Sequence, residues 1–477
     1  MAELKRYSEM RDSGVPWLGK VPEHWEVRRF KYLLRERDVR SLDGAEQLLR
    51  VSQFTGVTER RRADGDSEPD TRAASLVGYK VVEPEELVVN IMLAWNGSMG
   101  VSRFSGIASP AYCVYRFDAA ANPWYFHYLL RSPAYKARIK AISTGVVESR
   151  LRLYSDELYR LEGLLPSLPE QDAIVRFLNH ADRRIGRYIR AKQKLIQLLD
   201  EQKQAIIHGA VTRGLDPDVR LKPSGVEWLG DVPEHWVVMR LRHLIEGRLT
   251  YGANAAAEHT NADWPRYLRI TDFAVDGSLR ADTFRSLPLE MAREYLVRPG
   301  DLLLARSGAT VGKAFLVPTG LGPACHAGYL IRARPQRRLI DPEYLFAFTQ
   351  SAGFARWKDS TFIIATIQNI GADKYADLPV PVPPIPEQCD IVLHLRKAVA
   401  ETSAAIDRAS HEINLLREYR TRLIDDVVTG KLDVRDAVAR LPVDAAGSEL
   451  SDEAIAETDG YEVAANDTDE LPDEAEA

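Results

Sequence analysis

Cysteine is nearly missing from this chain. Cys113, Cys325 and Cys389 stand far apart with no CxxC pair, so neither a disulfide framework nor a zinc site is indicated. No apolar run approaches the ~20 residues that span a bilayer. The opening stretch, MAELKRYSEMRDSG, has no signal-peptide core. A reduced, cytoplasmic protein is the expectation. Histidines are few, and His24 and His235 each sit between Glu and Trp with no other ligand at metal spacing. Packed structural roles are therefore expected for both, and no metal site is assigned.

Basic residues are missing from the C-terminal end. Residues 441–477 hold 13 Asp and Glu and no Lys or Arg, so of the net charge of −6 this tail supplies −13 and the remainder +7. The tail, acidic and poor in aromatics, is expected not to order. The mildly basic remainder suits an anionic partner without proving one. Apolar content of 45% and charged content of 28% are ordinary for globular protein, and 477 residues allow two to four domains.

What is present is said twice. Residues 13–34 read SGVPWLGKVPEHWEVRRFKYLL and residues 224–245 read SGVEWLGDVPEHWVVMRLRHLI, identical at 14 of 22 positions. Pro169-Glu170-Gln171 opens an amphipathic stretch ending in VTRGLD at 211–216. Pro386-Glu387-Gln388 opens another, ending in VTGKLD at 428–433. A unit of over 200 residues is a duplicated domain and not a stacked array, whose period would be about 20–50 residues.

Five segments follow: a globular body over 1–166, a helical region over 167–217, a second body over 218–383, a second helical region over 384–436, and the acidic tail over 437–477. Strand-like runs (86–92, 111–117) and helix-like ones (123–142) mix within each body, which predicts an α/β (α+β) fold. In the first helical region Ile174, Leu178, Ala181, Ile185, Tyr188, Leu195, Leu199 and Ile206 form a seam interrupted by Lys192 and Gln202. Ile391, Leu395, Ala398, Thr402, Ala405, Ala409, Leu416, Tyr419 and Leu423 form its counterpart. Such spacing predicts coiled-coil packing, and the small residues in both seams favour the two helices pairing with each other, antiparallel. The bodies would then sit at opposite ends of a rod.

Catalytic motifs fail on inspection. Asn122-Pro123-Trp124-Tyr125 nearly spells a base-holding loop of adenine methyltransferases, yet its duplicate is Asp341-Pro342-Glu343-Tyr344. That pair keeps only what a helix start needs, an N-cap followed by proline. Gly308-Ala309-Thr310-Val311-Gly312-Lys313-Ala314 is one residue short of a phosphate loop and lacks the Ser/Thr after Lys. It reads better as a glycine turn between strands. No catalytic residue is assigned.

Polar clusters on turns remain, at matching places in the two halves. The first half has Trp95, Asn96, Ser98, Ser143, Thr144, Ser149 and Arg150. The second has Arg306, Ser307, Thr310, Lys313, Thr361, Thr366, Gln368 and Asn369. Asn, Gln, Arg and Lys suit base edges, and Ser and Thr suit phosphates. These are the candidate DNA-binding residues.

Taken together, residues 7–436 resemble the specificity (S) subunit of type I restriction–modification systems. The resemblance rests on the doubled SGVxWLGxVPEHW, PxxPEQ and VTxxLD motifs, and on segments 90–117 and 300–317, which look like that family's target-recognition domains. It implies a non-catalytic subunit whose two domains each read one half of a split DNA sequence. The paired helices would set the gap and dock two methyltransferase subunits. S-adenosylmethionine would bind those subunits, not this chain, and a translocating restriction endonuclease subunit would join. The competing reading is a coiled-coil scaffold whose bodies bind proteins; the basic body and polar clusters speak against it. The acidic tail lies outside the family pattern, and its charge suggests competition with DNA for a basic face.

Overall fold

The computed structural model describes residues 4–60, 75–147, 150–274, 277–280, 282–361 and 369–442. The chain separates into two compact units, Met1–Lys194 with Ser410–Ala477, and Leu195–Ala409. Each contains one body, the first part of one long helix and the last part of the other.

The first body is centred on a four-stranded antiparallel sheet in the order Leu34–Glu36, Tyr112–Phe117, Leu87–Asn90, Met99–Val101. Every residue of Leu87–Asn90 is buried. Alternate side chains of a strand face opposite ways. Accordingly Leu87 and Val89 enter the main core with Phe30, Tyr125, Phe126 and Leu129, while Val88 and Val114 enter a second core with Leu49, Val51, Val57 and Val82. Burial on both faces is why the strand reads as an uninterrupted apolar run.

The second body repeats the sheet as Thr250–Tyr251, Leu330–Ala333, Leu302–Ala305, Ala314–Leu316. Leu302 and Leu304 face the main core, and Leu303 and Ala305 a second one with Leu268, Phe273 and Phe315. Behind each sheet lie two helices, Pro123–Arg131 and Pro133–Ile142 in the first body, Pro342–Thr349 and Ala352–Thr361 in the second. Asn122 caps its helix by accepting from the backbone N–H groups of Trp124 (2.8 Å) and Tyr125 (3.2 Å). Asp341 does the same for Glu343 and Tyr344. The near-match to a base-holding loop is thus a helix start in both copies.

The doubled motifs meet each other within each unit. In the first, His24 Nε2 bonds Glu170 Oε2 at 2.9 Å, and Tyr7 donates to the other oxygen at 2.8 Å. In the second, His235 Nε2 bonds Glu387 Oε2 at 2.8 Å and the Trp236 indole donates to Oε1 at 3.1 Å. Gln171 accepts from Asn122 N and donates to Ala120 O and Pro166 O; Gln388 accepts from Asp341 N and donates to Leu339 O and Pro383 O. PEHW and PEQ therefore recur together because they form one clamp between body and helix start.

The helix exits complete that clamp, crosswise in sequence. VTGKLD, at the end of the second long helix, packs on the first body, where Tyr125 donates to Val428 O. VTRGLD, at the end of the first long helix, packs on the second, where Tyr344 donates to Val211 O. Gly430 has φ +75°, and a Cβ there would lie 2.4 Å from Pro22; Gly214 has φ +76°, and its Cβ would meet Glu387 and Trp236 at 3.2 and 3.3 Å. Positive φ and close approach together require glycine.

The long helices run Leu168–Arg213 and Ile385–Val428. They pair within both units. Arg420 bridges Asp182 (3.1 Å) and Lys192 bridges Glu412 (2.6 Å) in the first, and Lys203 donates to Ser403 (3.3 Å) in the second. As one number rises the other falls, so the pairing is antiparallel. The seam differs from the expectation in detail. Ile189 and Ile413 are buried, whereas Tyr188, Leu195 and Tyr419 are exposed. The buried positions 174, 178, 181, 185 and 189 average more than 3.6 residues per turn. That spacing is wider than the 3.5 residues of a strict heptad seam. Among the described residues no helix is long and apolar enough to cross a membrane.

Candidate nucleic-acid interface

In each body the third sheet strand ends in a turn that leads to the fourth: Leu87–Asn90 to Met99–Val101, and Leu302–Ala305 to Ala314–Leu316. The loop after the second helix returns to this turn. Among the described residues a backbone bond joins the two in both bodies, Leu153 N to Ile91 O (2.9 Å) and Ile370 N to Arg306 O (2.8 Å). Each turn also carries a left-handed glycine covered by a helix lysine. A Cβ on Gly97 (φ +101°) would lie 2.9 Å from the Lys136 stem, and one on Gly312 (φ +82°) 2.5 Å from that of Lys358. Burial and the neighbouring Arg131 hold the Lys136 amine below its ordinary pKa.

In the first body this frame brings together Trp95, Asn96 and Ser98 on the turn with Ser143, Thr144 and Arg150 on the loop. Arg131 fixes the ground beneath, donating to the carbonyls of Ser52, Gly97 and Met99 and of Gln53 and Phe54. Asn96 Oδ1 accepts from the N–H and hydroxyl of Ser98, and Ser98 is buried. Ser143 donates to Ile139 O. These three shape the loops. Thr144 and Arg150 are exposed, Thr144 forms a bridge with Arg152, and Val146 is 99% exposed. Lys140 lies over the Trp95 ring at 5.3 Å. Ser149 lies outside the described residues.

In the second body the frame brings together Arg306, Ser307, Thr310, Lys313 and Asn369. Ser307 and Asn369 form a bridge, and Lys313 and Asn369 are exposed. Thr361 is turned inward, its hydroxyl donating to Trp357 O. Thr366 and Gln368 lie outside the described residues. The glycine-rich run is a turn, with Gly308 and Gly312 at positive φ. Two tyrosines not singled out from the sequence stand here. Tyr251 lies under the Arg306 guanidinium at 4.9 Å, and Tyr329, 64% exposed, accepts the Arg306 N–H through its carbonyl. Their signal was slight: each is a lone aromatic beside a glycine, Gly252 and Gly328.

Among the described residues no group of three His, Cys, Asp or Glu could hold a metal, and the three cysteines are unpaired. The surface offers hydrogen-bond donors, cations and aromatic faces on rigid turns. That is the chemistry of base and phosphate recognition.

Comparison with known proteins finds relatives over most of the chain. The chain is 21% identical over 459 residues to the putative type I restriction enzyme MjaX specificity subunit of Methanocaldococcus jannaschii, covering 88% of this chain and 96% of that one. It is 24% identical over 366 residues to the type I restriction enzyme EcoBI specificity subunit of Escherichia coli, covering 74% and 75%. The chain is a homologue of type I specificity subunits. The same fold is found in a solved chain described under "Structural basis underlying complex assembly and conformational transition of the type I R-M system". It superposes with a TM-score of 0.65 at 17% identity, covering 86% of this chain and 99% of that one. No family model matches.

Proposed function

We propose that this chain is the DNA-recognition subunit of a type I restriction–modification complex and is not itself an enzyme. Each body reads one half of a bipartite double-stranded target through its turn and loop, and the paired helices set the gap between the halves. Two methyltransferase subunits dock on the chain and carry S-adenosylmethionine. Restriction endonuclease/translocase subunits complete the assembly, which works in the cytoplasm. The observation that carries this reading is a doubled, near-identical clamp holding two unlike polar surfaces, in a chain similar to specificity subunits over 88% of its length.

Methylome sequencing of a strain expressing the chain with its methyltransferase tests it. The expected product is methyladenine within one split sequence of two unlike halves and a fixed gap. Methylation at a single uninterrupted site, or methyl transfer by the purified chain alone, contradicts it.

A further inference from the structure

The second body holds an arginine set on an aromatic ring beside the candidate turn. Arg306 follows directly on the buried strand Leu302–Ala305. Its backbone is clamped on both sides, its N–H to Tyr329 O (3.1 Å) and its carbonyl from Ile370 N (2.8 Å). The guanidinium rests 4.9 Å from the centroid of the Tyr251 ring. Tyr251 is held in turn, since its hydroxyl accepts from Ala372 N at 3.0 Å. Arg306 Nε is buried and makes no hydrogen bond among the described residues.

Some part-buried arginines of this chain have anions beside them, while Arg138 and Arg266 lie over the Trp17 and Phe284 rings much as Arg306 lies over Tyr251. Arg334 pairs with Asp301, Arg37 with Glu86, and Arg269 with Asp272. Arg306 has an aromatic face in that place and, among the described residues, no carboxylate. An aromatic face orients a guanidinium and attracts its charge without using its N–H donors. With Nε buried, the two terminal nitrogens of the guanidinium are the donors left for acceptors supplied from outside. Around it stand the exposed side chains of Tyr329, Lys313 and Asn369, so the outer ligand is expected to be polar and anionic.

We propose that Arg306, carried on the Tyr251 ring, reads the paired acceptors of a guanine edge in the half-site taken by the second body. This rests on the reading of the chain as a DNA-recognition subunit. In the major groove guanine presents N7 and O6 side by side, matching the two parallel N–H groups of a guanidinium. A phosphate offers similar acceptors but carries no sequence information, and its effect on binding is separable.

The test uses the full chain purified with its methyltransferase subunits. Binding is measured to its methylated sequence and to duplexes changed one base pair at a time. Arg306→Ala is expected to lose about 5- to 150-fold of preference at one G·C pair of one half-site, the span that corresponds to ~1–3 kcal/mol per bidentate contact. Preference in the other half stays intact and reports that the protein is folded. Tyr251→Leu is expected to lose part of the same preference, whereas Tyr251→Phe, which keeps the ring, retains it. Uniform weakening across all sequences with a shallower salt dependence would mean a phosphate contact and overturn the proposal. So would an unchanged preference in Arg306→Ala. If the unsubstituted complex shows no sequence preference at all, the failure lies with the underlying reading.

Discussion

In the first body the turn beyond the third sheet strand carries Trp95 under Lys140, and the neighbouring loop projects Val146 and Arg150. In the second body the same turn carries Arg306 on Tyr251, with Lys313 and Asn369 alongside. The supports beneath are the same: a glycine of positive φ under a lysine, and a backbone bond from loop to turn. The outer parts differ as well. The first body inserts an antiparallel hairpin, Leu49–Ser52 with Gly56–Glu59, whereas the second carries a parallel pair, Arg266–Leu268 with Ala324–His326. The histidine–glutamate and glutamine bonds that hold the helices are duplicated, and groups that face outward are not. A recognition protein for an asymmetric target requires that division, since equal surfaces would read equal halves.

Removing a duplicated support probes the comparison hardest. Trp25 and Trp236 are both fully buried in their clamps. Trp236→Ala is expected to cost the second body ~3–5 kcal/mol, and Trp25→Ala the first body a similar amount. Chemical denaturation followed separately in each body measures this. Equal loss in both bodies from either substitution would break the comparison.

A smaller effect comes from acid. His127 accepts the Val101 N–H through Nδ1 at 3.1 Å, and burial, with Arg131 and Arg103 near, holds its pKa well below the ordinary value. The folded chain keeps this ring neutral while the unfolded chain protonates it below about pH 6.5. Stability is therefore fully present above that pH and falls as pH drops through it, by up to ~1.4 kcal/mol per pH unit from this group. His326 in the second body is shifted the same way, mainly by burial. Denaturation between pH 7.5 and 5 should show a shallower loss for His127→Gln than for the unsubstituted chain.

The smallest effect concerns the acidic tail, whose residues 443–477 lie outside the described ones. The chain leads into it at Leu441 and Pro442, whose carbonyls accept from Arg176 on the first long helix. Truncation after residue 442 is expected to strengthen binding to random DNA a few-fold at low salt and not at high salt. Identical salt curves would dispose of the electrostatic role.

Much of this was legible because the chain repeats itself. PEHW and PEQ stood out as pairs, and the heptad-like spacing gave both helices. Their meeting was not legible, since 146 residues separate His24 from Glu170 and nothing local couples them. The seam position expected at Tyr188 falls instead at Ile189, which is buried where Tyr188 is exposed. Within the candidate interface the residue types were readable, but their direction was not. Ser98, Ser143 and Thr361 turned inward to carbonyl or amide partners, a choice that hydroxyls make in any tight loop. Tyr251 escaped notice because a lone strand-end tyrosine has no periodicity to mark it.

The most direct measurement replaces residues 224–383 by the matching segment of a relative with another target and sequences the methylated adenines. One half of the split sequence should change to the relative's, with the other half and the gap preserved. Alteration of both halves, or of neither, would contradict the assignment of one half to each body.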